Sequence, residues 1–337
     1  MSKKYYLLVF IGRLQPLHNA HLEIIKRATT LAHRILIITG SADQPRTYKN
    51  PFTSYERASM IKTATSGLDI AVSVAPNPDS IYNDTAWAAR IQSIVASYAP
   101  SGKIGIIGHK KDISSDYLNM FPQWDFESVD LIEPLNATDV RDLYFRNDVN
   151  MNFIKNVVPR STFDFLDQFK DTPEYAQIIQ EREFVTNYKK QFASLPYPPI
   201  FVTTDALVVC SGHVLLVERK AFPGKGLLAL PGGFLNVNER IASGVIRELK
   251  EETKIKVPVP VLEGSIKRVK VFDHPDRSSR GRTITHCFLI DLGDGALPKV
   301  KGSDDAKHAL WVPISKISSD RMYEDHYQII QDLIGLQ

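Results

Sequence analysis

Cysteine is nearly absent from this chain. It has 2 in 337 residues, Cys210 and Cys287, too few for a disulfide framework or a pair of CxxC metal knuckles. Long apolar runs are missing too, and no stretch approaches the ~20 residues that span a bilayer. The opening MSKKYYLLVFIGR holds a short apolar run, but Arg13 cuts it and no small-residue cleavage site follows, so it does not read as a leader peptide. Charge of one sign is scarce: 41 Lys and Arg stand against 38 Asp and Glu, a net +3. That is too mild for a nucleic-acid surface, but it suits anionic small molecules. No internal repeat, low-complexity tract or GxGxxG fingerprint occurs. These absences predict a cytoplasmic protein with no nucleic-acid or membrane partner, and they are compatible with a homo-oligomer. Hydrophobic residues at 43% and charged residues at 23% are ordinary for a globular chain, here long enough for two domains.

The first half alternates strand and helix. Tyr5–Ile11 is a continuous apolar run, as expected of a buried parallel strand. Ala20–His33 has helical spacing, with Leu22, Ile25 and Leu31 on the apolar side. Arg34–Thr39, Ile70–Ala75 and Lys103–Ile107 read as further strands, and Thr85–Tyr98 as a helix. Thr53-Ser54-Tyr55-Glu56 is a capping box opening another. Repeated β-α-β units predict an α/β, Rossmann-like parallel sheet. Residues 161–192 are charged and helical. In SLPYPPIF, residues 194–201, Pro196, Pro198 and Pro199 cannot continue a helix, which places a boundary between residues 1–193 and 194–337. Beyond it, Phe201–Val209, Val214–Glu218, Ile266–Phe272 and Thr283–Ile290 read as strands around one strong helix, Arg240–Glu252. This predicts an α+β domain.

Gly12–His18 lies at the carboxyl end of the first strand, where open α/β sheets bind ligands. His18 and His21 share the face of a helix start, whose free N–H groups attract phosphate, and Arg13 adds a forked cation. Together they form a patch for a polyphosphate. Zinc is the other reading of an HxxH pair, but a catalytic zinc needs three protein ligands and no third stands at useful spacing. GRLQPLHNAH, residues 12–21, resembles the GRxxPxHxGH signature of nucleotidyltransferases, in particular the archaeal-type nicotinamide mononucleotide (NMN) adenylyltransferases. Ala20 stands where that family has Gly. Residues 40–57 and 83–91 resemble the same family, and Asn136–Arg141 keeps the Thr and Arg of its ISSTxxR-like signature.

The resemblance implies adenylyl transfer from ATP to NMN, giving NAD and pyrophosphate, a reaction driven mainly by positioning and charge neutralisation. It implies that His18 and His21 hold the ATP phosphates beside Gly12. Arg13 and Arg141 then flank the triphosphate, and Thr138 donates a hydrogen bond. Trp87 stacks on the nicotinamide ring with Asn83 nearby, Lys49 meets a phosphate, and Mg²⁺ rides on the triphosphate. A Trp on a helix is also an ordinary core residue.

Residues 232–255 read GGFLNVNERIASGVIRELKEETKI. Glu248, Glu251 and Glu252 fall at i, i+3 and i+4 on one helical face, where carboxylates repel unless a cation bridges them. Arg247 can pair with Glu251 or reach Glu239 and so orient them. The stretch resembles the Nudix box through Gly233, Glu239, Arg247, Glu248, Leu249, Glu251, Glu252 and Ile255. Lys254 replaces the box glycine that ends the helix with positive φ, a substitution costing roughly 1 kcal/mol. The resemblance implies Mg²⁺-dependent hydrolysis of a nucleoside diphosphate linked to another group, with Glu248, Glu251 and Glu252 as metal ligands and Glu248 and Glu252 as catalytic residues. Glu263, Asp304 and Asp305 are unranked candidates for the general base. In FDHPDRSSRGRTITH, residues 272–286, Pro275 predicts a loop, and Arg277, Arg280 and Arg282 suit phosphates and sugar hydroxyls. That segment resembles ADP-ribose-type Nudix domains.

In this order the two motifs resemble the bacterial bifunctional NMN adenylyltransferase/ADP-ribose pyrophosphatase family. The expected partners are therefore ATP, NMN, NAD and ADP-ribose. Two other readings remain: a transferase with another acceptor, such as pantetheine phosphate, and a Nudix domain acting as a nucleotide sensor.

Overall fold

A computed structural model describes residues 3–109, 118–130, 136–302 and 306–335. The chain forms two compact units that divide between Gln180 and Glu181. Among the described residues no helix is long and apolar enough to cross a membrane.

The first unit runs β1 (Tyr5–Gly12), α1 (Asn19–Leu31), β2 (Ala32–Ala42), α2 (Ser54–Thr65), β3 (Ala71–Pro78), α3 (Asp84–Tyr98), β4 (Ile104–Gly108) and β5 (Asp125–Ser128). Helices α4 (Ala137–Tyr144), α5 (Met151–Val157) and α6 (Arg160–Phe169) follow, and the division between the units falls within α7 (Pro173–Lys190). The sheet order is β3-β2-β1-β4-β5, with every pairing parallel. Strand β1 is central and its apolar run is buried on both faces, Leu8 and Ile25 on one side and Val9 and Ile91 on the other. The chain leaves β1 toward β2 on one side and reaches β4 on the other. The β1 carboxyl end is thus the switch point where a ligand crevice opens. Thr53 and Glu56 make the predicted capping box at α2. Strand β5 was not predicted, because its sequence DFES is polar and mostly exposed, with no alternating apolar face.

The second unit contains β6 (Phe201–Cys210), β7 (His213–Arg219), β8 (Leu228–Ala229), β9 (Gly232–Phe234), α8 (Ile241–Thr253) and α9 (Val259–Gly264). Strands β10 (Ile266–Phe272), β11 (Thr283–Asp291) and β12 (Ala306–Pro313) and helix α10 (His326–Ile334) complete it. The main sheet order is β10-β11-β6-β7-β12, with β8 on β7 and β9 on β6. Strands β6 and β11 run parallel and the other pairs antiparallel. Helix α8 buries Val245, Ile246 and Leu249 against Ala206, Val208 and Phe288. That leaves its acidic face outside the core.

Candidate active sites

The loop after β1 is shaped by side chains brought in from elsewhere. Gln15 donates to Phe52 O at 2.9 Å and accepts from Phe52 N at 2.9 Å. Arg57, 1% exposed, donates to Arg13 O and Gly40 O, each at 2.6 Å, and thereby joins the loops that follow β1 and β2. Arg141 donates to Gln15 O at 2.7 Å and to Thr138 Oγ1 at 3.0 Å. Burial, with the charge of Arg13 adding to it, pushes both guanidinium groups down to about 10. They remain cations at neutral pH and sit beneath the loop. Arg141 is 4% exposed and braces the loop: Gln15 O, Ala137 O and Thr138 Oγ1 take its Nη donors, while its Nε has no hydrogen-bond partner. Thr138 correspondingly accepts a hydrogen bond through its hydroxyl, and Asn136 caps α4 by accepting from Thr138 N and Asp139 N.

His18 is the N-cap of α1 and His21 its third residue. Their rings stack with centroids 3.6 Å apart. His21 Nδ1 accepts the His18 backbone N–H at 3.3 Å, which leaves Nε2 carrying the ring proton of the neutral tautomer. His21 is half-buried by surface exposure, yet its ring is packed against Phe10 and His18. Burial, then the charge of His18, holds it well below the usual histidine range. It is a neutral hydrogen-bond donor at pH 7. Arg13 is half-buried and Lys49 exposed. Asn83 caps α3, accepting from Ala86 N. Trp87, one turn on, is half-buried with its ring 6.1 Å from that of Phe121. The core role thus claims part of Trp87.

In the second unit, Gly232 and Gly233 bring β9 against α8. A Cβ on Gly233 would come within 2.7 Å of the Glu248 carboxylate, so only glycine lets the carboxylate lie there. Arg247 ties the face together. It donates to Glu239 Oε1 and Oε2 at 2.8 and 2.9 Å, to Glu248 at 2.7 Å and to Glu251 at 3.0 Å. Glu252 accepts from Gly232 N at 3.0 Å. Burial, reinforced by the charge of Glu248, pushes its carboxyl up to about 8, and burial also raises Glu248. In this arrangement no three His, Cys, Asp or Glu side chains among the described residues stand as a metal-holding group. Arg247 and Gly232 N–H occupy the oxygens a cation would take. The donor set nevertheless fits a divalent ion, since Glu248, Glu251 and Glu252 offer hard oxygen ligands from one turn of α8. Lys254 ends α8 at φ +47, the left-handed conformation its position demanded.

The three arginines of the basic loop diverge. Arg277 is buried and pairs with Asp325, which corrects its assignment as a substrate contact: a bidentate partner already fills its donor fork. Arg282 turns to the backbone carbonyl of Asp273. Arg280 alone faces the box, its Cζ 4.9 Å from the centre of the Phe234 ring. Glu263 is exposed on α9, while Asp304 and Asp305 lie outside the described residues. The sequence reading missed Arg57 and Asp205. Arg57 directly follows the capping box, and a lone Arg there carries no pattern. Asp205 is buried within a strand, accepts from Thr285 Oγ1 at 2.5 Å, and feels the charges of Arg277, Arg280 and Arg219. A single acid inside an apolar run was its only signal.

Two domain families match the chain: one described as cytidylyltransferase-like at residues 9–125, the other as a NUDIX domain at residues 200–333. A nicotinamide/nicotinic acid mononucleotide adenylyltransferase of Acinetobacter baylyi is 37% identical over 180 residues, 53% of this chain and 94% of that protein. An ADP-ribose pyrophosphatase of Methanocaldococcus jannaschii is 34% identical over 156 residues, 46% of this chain and 82% of that protein. A crystal structure of a bifunctional NMN adenylyltransferase/ADP ribose pyrophosphatase from Francisella tularensis, complexed with AMP and a Mn ion, superimposes with a TM-score of 0.91 at 38% identity. That match covers 98% of this chain and 99% of the other. The chain belongs to the bifunctional NMN adenylyltransferase/ADP-ribose pyrophosphatase family.

Proposed function

We propose that this chain makes NAD from NMN and ATP in residues 1–193 and cleaves ADP-ribose to AMP and ribose 5-phosphate in residues 194–337. The observation that carries the reading is the likeness to a bifunctional enzyme over 98% of the chain, which spans both sites at once.

In the first reaction an oxygen of the NMN phosphate bonds to the α-phosphorus of ATP, and the α–β bridging oxygen leaves with pyrophosphate. Negative charge on the phosphate oxygens must be dispersed as the bond forms. His21 donates from Nε2–H, His18 marks the head of α1, and Arg13 and Lys49 supply positive charge beside Gly12. Arg57 and Arg141 keep the loop in shape from below. Trp87 offers an aromatic face for the nicotinamide ring, with Asn83 at the start of the same helix, and Thr138 stands at the start of α4 beside Arg141.

In the second reaction water breaks the diphosphate linkage. Glu248, Glu251 and Glu252 would hold Mg²⁺, which when bound neutralises the diphosphate and activates water. Gly233 gives Glu248 its place and Arg247 orients the carboxylates. Arg280 over Phe234 suits a phosphate or sugar hydroxyl. Both substrates are soluble nucleotides, in keeping with a cytoplasmic enzyme.

Incubation with Mg²⁺ and either NMN plus ATP or ADP-ribose, with the products identified by mass, tests both halves. NAD in the first mixture and AMP with ribose 5-phosphate in the second are expected. Failure of either product removes that half of the proposal.

A further inference from the structure

The Pro223–Gly224 peptide is held at both ends. Its carbonyl accepts from Arg219 Nε at 2.9 Å, and its N–H donates to Glu181 Oε2 at 3.2 Å. A cation at the carbonyl and a carboxylate at the N–H fix the same orientation of the peptide dipole. Gly224 adopts φ +74, and a side chain there would run into the Tyr323 ring. That ring carries the Arg219 guanidinium, with Cζ 3.9 Å from its centroid. Arg219 ends β7 and its N–H donates to Leu227 O at 2.9 Å, while Glu218 pairs with Leu228 of β8, four residues before Gly232 at the β9–α8 junction.

Glu181 comes from α7, ahead of the Pro-rich segment and outside the matched Nudix residues 200–333. From residue 182 to 190 every side chain of that helix is exposed or half-exposed, whereas Glu181 is 5% exposed. Burying a carboxyl group is costly; burial pushes Glu181 up to about 7 against the opposing hydrogen bond from Gly224 N–H.

We infer that Glu181 is a positioning residue of the Nudix site: through the Pro223–Gly224 peptide it holds Arg219 beside the carboxylate cluster, where Arg219 meets the diphosphate of the substrate. The inference rests on the pyrophosphatase reading and adds to that site a residue from the preceding helix.

The test uses the full chain. Glu181→Ala should raise KM for ADP-ribose about tenfold with kcat within about twofold, the effect of losing one charge-assisted hydrogen bond behind a binding residue. Glu181→Gln, whose amide oxygen accepts the same N–H, should restore KM to within about twofold. NAD synthesis should be unchanged in both. If the Ala variant does not fold, Glu181→Asp, which withdraws the carboxylate by one methylene, takes its place with the same expectation. A folded Ala or Asp variant with unaltered KM overturns the inference. So does a loss confined to kcat, or a Gln variant as impaired as Ala. If the wild-type chain cleaves no ADP-ribose, the pyrophosphatase reading fails by itself. Hydrogen exchange at the Gly224 amide then decides: exchange at least about tenfold faster in the Ala variant than in wild type and Gln supports the clamp, and equal exchange overturns it.

Discussion

Arg277 meets Asp325 through two parallel hydrogen bonds, Nε to Oδ2 at 2.9 Å and Nη2 to Oδ1 at 3.0 Å, with both side chains almost wholly buried. The pair pins the basic loop to the start of α10, and Glu324 adds a second tie by accepting from Ser279 N at 2.8 Å. Breaking a buried ion pair strands a charge and costs about 3–5 kcal/mol. Arg277→Ala should therefore destabilise the second unit by that order in a denaturant titration. Arg280→Ala should leave stability nearly intact and raise KM for ADP-ribose about tenfold. The reverse pattern would return Arg277 to the binding surface.

At the first site, His21→Ala removes a donor whose direction is set by the His18 N–H. Loss of one oriented donor to developing charge costs about 10²–10³ in rate. NAD formation from NMN and ATP should fall by that factor while circular dichroism stays unchanged. Near-normal turnover by the folded variant would sink the assignment.

The two activities should separate. Glu252→Gln takes away a carboxyl group that would ligate the metal and should abolish ADP-ribose cleavage, with NAD synthesis nearly intact. Gly233→Ala acts on the same face by sterics, because its methyl would press within 2.7 Å of Glu248. Pyrophosphatase activity should drop at least about tenfold, since ligands displaced by even an ångström lose much of their rate. Loss of NAD synthesis in either folded variant would show that the sites depend on each other.

His326 is buried and accepts Leu230 N–H through Nδ1 at 2.9 Å. Burial chiefly pushes it down to about 3. A depressed folded-state value means that the unfolded chain binds the proton first. The stabilising contribution is complete above the unfolded value near 6.5 and is lost as pH falls through about 3. His326→Asn supplies an amide oxygen in place of Nδ1 and cannot be protonated. Its acid unfolding curve should be shallower than wild type across that window, a difference of several kcal/mol by pH 3 at about 1.4 kcal/mol per unit. Parallel curves would show that His326 does not titrate.

Lys254 holds φ +47 at the end of α8. A glycine there has no Cβ to strain, so Lys254→Gly should stabilise the second unit by about 1 kcal/mol in chemical denaturation. Hydrolase activity should persist, because no box carboxylate moves.

What the sequence determined by itself was local and periodic. The apolar run Tyr5–Ile11 could only be a buried strand, and Thr53 with Glu56 announced α2. Glu248, Glu251 and Glu252 shared a face as soon as a helix was granted, and the left-handed demand on Lys254 followed from the helix end. Each of these depends on neighbours a few residues away, which spacing encodes. Tertiary structure alone decided the rest, because long-range partners leave no spacing signal. Arg277, Arg280 and Arg282 are indistinguishable in sequence. Asp325 takes the first into the interior, the Phe234 ring receives the second, and the Asp273 carbonyl turns the third away. Arg141 became a brace once Gln15 O came within 2.7 Å, across 126 residues of chain. Glu181 was one acid in a charged helix until folding set Gly224 N–H against it. A charged side chain acquires its role from whichever opposite charge or unpaired backbone group the fold delivers into its low-dielectric surroundings, and that choice is made in three dimensions.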